Sequence, residues 1–280
     1  MAVVNVTPDS FSDGGRWFDH EAAVRHGREL IADGADIVDV GGESTRPGAS
    51  RVSEEEELRR VIPVIRQLAT EPAVRDGRVA ISVDTMRSAV AREAVQAGAQ
   101  LINDVAGGLA DPQMIPTAAE LGVGYLLMHW RGHSADMQSL ATYDDVVAEV
   151  CAELTQQADR AIEAGIAADR LFLDPGLGFS KTGEHNWELL RHLDAITALG
   201  YPVVLGVSRK RFLGTLLADA DGTPRPPDDR DDATAALTGW AAMHGVWAVR
   251  VHTVRANSDA LAVLGRVGAL RPPRPGPPDP

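Results

Sequence analysis

The sequence predicts an α/β fold of the (β/α)8 TIM-barrel class in a single domain, on three observations. Eight short apolar runs recur along the chain, a polar or glycine-rich stretch follows each, and segments with helical apolar spacing separate them. Strict alternation of near-continuous apolar strands with helices means a parallel sheet covered by helices, and eight repeats is the count of a closed barrel. A doubly wound open sheet is the competitor. It usually has fewer strands and a GxGxxG turn after the first, and no such turn is present.

The runs are Ala2 to Val6, Ile37 to Val40, Val79 to Val83, Gln100 to Val105, Gly124 to Met128, Arg170 to Leu173, Pro202 to Val207 and Val246 to Val251. Between the first two, Ala22, Ala23, His26, Leu30 and Ile31 fall on one helical face. Leu58, Val61, Ile62, Ile65 and Leu68 do the same before the third run, and Val90, Ala94 and Val95 before the fourth. Asp19 is a candidate N-cap for the first helix, and Ser53 with Glu56 has capping-box spacing. Gly34, Gly98, Gly122, Gly165 and Gly200 sit where helices should stop. The Glu54 to Glu57 run reads as acidic first-turn residues meeting a helix dipole. The barrel is expected over residues 1–268, and the proline-rich stretch 269–280 is expected to be a flexible, unpacked tail.

Composition bounds the function. With 280 residues and 44% hydrophobic content, a sizeable core is available. Lys plus Arg is 27 against 40 Asp plus Glu, a formal net charge of −13 that argues against nucleic acid and acidic membranes as partners. The single Cys151 cannot form an internal disulfide, which fits a reducing, cytoplasmic setting, and no apolar run is long enough to span a membrane.

In a barrel of this kind the working residues follow the strands. Asn5 follows the first run and Glu43 to Gly48 the second, then come Asp84, Asn103 with Asp104, His129, Asp174, Ser208 with Lys210, and Arg250 with His252. Asp84, Asn103, Asp174 and Lys210 offer acceptors and donors suited to a flat, nitrogen-rich ring. Asn5, Arg250 and His252 offer an oxygen ligand and two cations or donors, as a diphosphate with Mg2+ would need.

These residues resemble a known family. Asn5-Val6-Thr7-Pro8-Asp9-Ser10-Phe11-Ser12-Asp13-Gly14-Gly15, Gly41-Gly42-Glu43-Ser44-Thr45-Arg46-Pro47-Gly48, Ser82-Val83-Asp84-Thr85, Asn103-Asp104-Val105, Asp174 to Phe179, Ser208-Arg209-Lys210 and Arg250-Val251-His252 are similar, in that order, to the dihydropteroate synthases. The resemblance runs from Met1 to about Leu264, and its first two loops are highly specific. It implies a barrel that joins 6-hydroxymethyl-7,8-dihydropterin diphosphate to p-aminobenzoate, giving 7,8-dihydropteroate and diphosphate in folate synthesis. It implies Mg2+ as cofactor, a homodimer, and sulfonamides as competitors of p-aminobenzoate.

Residue by residue, it assigns Asp84, Asn103, Asp174 and Lys210 to the pterin and Asn5 to the metal. Arg250 and His252 become diphosphate anchors. Phe179 and Ser208 fall near p-aminobenzoate. Thr45, Arg46 and Pro47 belong to the second mobile loop, and Asp13 to a first-loop carboxylate that organises the closed site. Asp84, Asp13, Arg46 and Lys210 are its candidate catalytic residues.

Two departures stand out. Thr253 occupies the place after the histidine where the family pattern has an aspartate, and the sequence opens at the first strand, where the family normally carries a segment covering the barrel bottom.

Plainer readings compete. Asp84 alone could be a loop aspartate or a helix cap. His129 reads as a satisfied histidine and Lys181 as a solvated surface lysine, and the span Asp228 to Asp232 with Arg230 reads as a solvated charged loop. His133, His185 and His192 show no metal-ligand spacing, so zinc is not supported. A pterin-dependent methyltransferase barrel would share the acids without needing Ser44 to Pro47 or a diphosphate anchor. A non-catalytic pterin-binding paralogue should have lost an acid or a loop.

Overall fold

In a computed structural model, which describes residues 1–7, 16–43, 51–132 and 139–272, the apolar runs become parallel strands and the segments between them become helices. The first six strands, β1 (Ala2–Asn5), β2 (Ile37–Gly41), β3 (Ala80–Asp84), β4 (Leu101–Asp104), β5 (Gly124–Met128) and β6 (Leu171–Asp174), pair in chain order. β7 (Val204–Leu205) and β8 (Ala248–Val249) form a short parallel pair of their own. Two bridges join the sets: Leu173 with Val203 links β6 to the β7 segment, and Ala2 with Val251 links the β8 segment back to β1. The sheet therefore closes, and the barrel leaves no open edge to aggregate.

The helices are α1 (Arg16–Ala32), α2 (Glu54–Leu68), α3 (Pro72–Arg75), α4 (Ser88–Ala97), α5 (Met114–Leu121), α6 (Val146–Glu163), α7 (Gly183–Arg191), α8 (Leu193–Thr197), α9 (Arg211–Leu216), α10 (Asp231–Met243) and α11 (Val254–Arg266). α1 begins at Arg16, so Asp19 lies inside the helix and does not cap it. Ser53 does cap α2, its Oγ accepting from Glu56 N at 3.2 Å. The reciprocal half of a capping box is not seen, because Glu56 pairs with Arg59 and Arg60 instead. Glu57 departs from the simple dipole reading: it is buried, accepting from Thr85 Oγ1 at 2.6 Å and from Arg87, and so ties α2 to the end of β3. Gly98 and Gly122 close α4 and α5 with φ of 121° and 63°, conformations a Cβ would oppose. The start of the expected tail is bonded as well: Arg271 N reaches Ala242 O at 3.2 Å, and its guanidinium pairs with Asp194.

Side chains alternate in and out along a strand, and this period divides the core. The outward faces pack against the helices through residues such as Val38, Val40, Ile81, Val83 and Ile102. The inward faces start with an apolar floor of Met1, Ile37, Ala80, Leu101, Leu126, Phe172, Val204 and Ala248. The Met1 amine donates to Val249 O at 3.0 Å, so β1 meets the β8 segment at the barrel bottom.

Candidate functional site

Two residues beyond that floor, each inward face reaches its next position. Six of the eight positions are not large and apolar: Asp39, Ser82, Asn103, Asp174, Gly206 and Arg250. Two further along β3 comes Asp84, with Gly41 beside it in register. The sequence thus builds an apolar plug and then switches to charge, on the same faces, at the end where the strands stop.

Asp84, Asn103 and Asp174 are all at least nine-tenths buried at this end of the barrel. Arg250 organises it, donating from Nε to Asp39 Oδ2 at 2.7 Å and from Nη2 to Asp84 Oδ2 at 2.7 Å. Asn103 Nδ2 donates to the same Asp39 oxygen at 3.0 Å. Arg250, read from the sequence as part of an anion set with Asn5 and His252, is thus paired in this structure with two of the buried acids. Burial pushes the Asp84 carboxyl up to about 7, against the attraction of Arg250 and with repulsion from Asp39 adding to it. Burial raises Asp174 too, opposed by Lys210 and by the bond from Gly176 N at 2.7 Å.

On the opposite wall, burial pulls Lys210 down to about 8 against the pull of Asp174. Its ammonium donates to Leu177 O and lies 4.5 Å from the Phe179 ring centroid. A Cβ on Gly206 would lie 3.6 Å from Asp174 Oδ2 and 3.9 Å from Lys210 Nζ. Gly206 thus stands between an acceptor and a donor, a pair that suits the edge of a flat heterocycle. Gly178, at φ 81°, is the constrained glycine, since a Cβ there would come within 2.9 Å of Lys210 Cδ.

His252 stands apart from this group. Its Nδ1 lies 2.9 Å from Ser208 Oγ and its backbone N donates to the same oxygen at 3.2 Å. Asn5 ends β1, half-buried, opposite Gly41. Asp13, Thr45, Arg46 and Pro47 lie outside the described residues. Their near flank is held: Arg87 donates to Glu43 Oε2 at 2.9 Å and to Val52 O at 2.6 Å, and Arg60 to Gly42 O at 2.8 Å.

Sequence reasoning missed Asp39. It sits mid-strand in Ile37-Val38-Asp39-Val40, and a carboxylate in a strand covered on both faces was the available signal. Lys181 is also not a surface lysine; it is buried, with Nζ at 3.0 Å from His129 Nδ1, 3.2 Å from Gly176 O and 3.1 Å from Phe179 O. His129 is satisfied on both nitrogens, its Nε2 lying 2.9 Å from Glu153 Oε2, and burial with the Lys181 charge lowers it to about 4. Arg230 is buried rather than solvated, donating to Arg209 O at 2.8 Å and to Arg225 O at 2.7 Å.

No group of three or more His, Cys, Asp or Glu among the described residues could hold a metal ion. Mg2+ is a hard cation that keeps several waters and takes oxygens from substrate phosphates, so it needs few protein ligands. Asn5, at the end of β1, is the residue that would hold it. Among the described residues, no helix is long and apolar enough to cross a membrane.

Comparison with known proteins places the chain in a family. The family model described as pterin binding enzyme matches residues 1–252. A dihydropteroate synthase of Mycobacterium leprae is 54% identical over 266 residues, covering 95% of this chain and 92% of that protein. Among solved structures, Xanthomonas albilineans dihydropteroate synthase with 4-aminobenzoic acid superposes with a TM-score of 0.87 at 46% identity, over 97% of this chain and 93% of that one. The same enzyme in complex with 7,8-dihydropteroate gives 0.83 at 44% identity, over 97% and 94%. A barrel whose inward faces change from an apolar floor to Asp84, Asn103, Asp174 and Lys210, matched over nearly its whole length, belongs to the pterin-binding enzymes and, within them, to the dihydropteroate synthase family.

Proposed function

We infer that this chain condenses 6-hydroxymethyl-7,8-dihydropterin diphosphate with p-aminobenzoate to give 7,8-dihydropteroate and diphosphate, a step of folate synthesis. The observation that carries this reading is the Asp174 acceptor and the Lys210 donor set either side of Gly206, at the barrel end that also holds buried Asp84 and Asn103. Asp174 and Asn103 take the hydrogen-rich edge of the pterin, and Lys210 donates to its acceptor atoms. The carbon–oxygen bond to diphosphate breaks with its electron pair on the leaving group. Positive charge then spreads into the ring, where ionised Asp84 stabilises it in a water-poor site. The arylamine nitrogen attacks the methylene carbon beside Phe179 and Ser208, and its surplus proton leaves to solvent.

His252, held by Ser208, binds the departing diphosphate. Asn5 would hold Mg2+, which when bound would neutralise diphosphate charge. Arg250 keeps Asp84 and Asp39 in place through Nε and Nη2, and its Nη1 can donate to the anion with both pairs kept. The one free cysteine, Cys151, suits a reducing cytoplasm. A homodimer is part of the same proposal, with Trp240 and Val263 exposed on α10 and α11 and Val267 exposed just after α11.

The test is release of diphosphate from the pterin substrate by purified protein. It should require both p-aminobenzoate and Mg2+ and should match dihydropteroate formed one for one. Pterin binding without any such release would leave a non-catalytic pterin binder and sink the reading.

A further inference from the structure

Ser208 and Lys210 both serve the site, and Arg209 between them has φ 60°, a left-handed conformation rare for a residue with a Cβ. Something outside the site must hold it. Arg209 points toward the start of α10, donating from Nε to Asp231 Oδ1 and from Nη2 to Asp231 Oδ2, both at 2.9 Å. This is a two-pronged pair of the strong kind. Asp228 accepts from Nη1 at 2.5 Å, and Arg209 O accepts from Arg230 at 2.8 Å. The same Asp231 Oδ2 also accepts from Thr253 Oγ1 at 2.6 Å, and Thr253 directly follows His252. Asp231 stands in the first turn of α10, where its charge meets the helix dipole. Although burial pushes Asp231 up, the bonds from Arg209 and Thr253 outweigh it and hold the carboxyl below its usual value.

One carboxylate thus ties the residue after Ser208 to the residue after His252, and Ser208 Oγ contacts His252 twice. The aspartate that the family pattern places after the histidine is a threonine here, and Thr253 hands its hydroxyl to a carboxylate arriving from another element. We propose that Asp231 is the positioning residue of the diphosphate end of the site, aligning Ser208 with His252 through Arg209 and Thr253. This rests on the reading of His252 as a diphosphate anchor. Asp231 touches no substrate in this account, and its effect should appear chiefly in binding of the anion, with a smaller effect on p-aminobenzoate passed on through Ser208.

The experiment titrates inorganic diphosphate with Mg2+ into the full chain by calorimetry, alongside steady-state kinetics. Asp231→Asn should weaken inorganic diphosphate about tenfold and raise KM for the pterin diphosphate by a similar factor, with kcat falling less than threefold and KM for p-aminobenzoate rising less than threefold. Thr253 Oγ1 already lies 3.5 Å from Arg209 Nη2, so a carboxylate there can reach the same guanidinium. Asp231→Asn with Thr253→Asp should therefore recover diphosphate affinity to within about threefold of the parent. If Asp231→Asn does not fold, Thr253→Val removes only the hydroxyl link and should weaken diphosphate about threefold. Parental affinity in the single variants would overturn the proposal while leaving the diphosphate reading intact. Loss of pterin, p-aminobenzoate and diphosphate binding in parallel, without rescue, would make Asp231 a folding residue only and also overturn it. A parent protein with no affinity for diphosphate would overturn the anchor reading and this proposal with it.

Discussion

Asp39, Asp84 and Arg250 form a buried group with two carboxylates to one guanidinium, so full ionisation leaves one uncompensated negative charge. That excess suits a site meant for a cationic transition state and is unfavourable in the free protein. Asp84→Asn should therefore lower kcat by about 10²–10³ while raising stability at pH 8 by roughly 1–3 kcal/mol. Asp84 is charged above about 7 and protonated below, so kcat/KM in the parent should fall as pH drops through about 7, and the Asn variant should lack that limb. Unchanged turnover in the variant would remove Asp84 from the chemistry. Lys210→Ala should raise KM for the pterin about tenfold, the order of one lost charged hydrogen bond, and an unchanged KM would reduce Lys210 to support for Leu177 and Phe179. The polar residues after the apolar runs were legible because strand ends interrupt an apolar pattern. Asp39 was not, because it sits inside one, and only the pairing of Arg250 and Asn103 with it explains a carboxylate there.

At the scale of elements, the first six strands were read within about one residue at each end, while the start of α1 was misplaced at Asp19. The seventh and eighth runs read as six residues each, yet β7 and β8 keep two each, since the flanking residues serve the bridges and the site. Lys181 shows why side-chain environment is harder to read than element type. Its neighbours in sequence are loop-like, but the loop after β6 folds back and sets Nζ among His129 and the carbonyls of Gly176 and Phe179. That ammonium fixes the segment that carries Phe179 and contributes Leu177 O to Lys210. Lys181→Met fills similar space but leaves His129 Nδ1 and Phe179 O without their donor, Gly176 O keeping its bond from Phe179 N, which should cost about 1–3 kcal/mol in urea unfolding at pH 7. KM for p-aminobenzoate should rise severalfold with KM for the pterin nearly unchanged. Equal effects on both substrates would mean that Lys181 supports the barrel mouth as a whole, not the Phe179 segment.

For the whole molecule, the barrel interior and its mouth hold three acids, Asp39, Asp84 and Asp174, against three cations, Lys181, Lys210 and Arg250. Burial penalises charge of either sign, and the two signs respond oppositely to pH. Asp84 titrates near 3.8 unfolded and at about 7 folded, so between those values the folded state binds the extra proton, and stability falls as pH rises. Lys181 titrates near 10.5 unfolded and at about 7 folded, and Lys210 at about 8, so above these values the unfolded state binds more protons, and stability rises with pH. The interior's contribution to stability should therefore pass through a minimum near pH 7 to 8, the range in which its charges stand ready for ligands. The difference in unfolding free energy between parent and Asp84→Asn isolates the acid limb: it should widen from about pH 4 to 7 and stay level above. The difference between parent and Lys181→Met isolates the cation limb, and should shift in favour of the parent from about pH 7 upward. Urea unfolding at intervals between pH 5 and 9 reads both. Differences that do not vary with pH would mean that these groups are not buried as charges at all, and that the interior is wet enough to screen them before any substrate arrives.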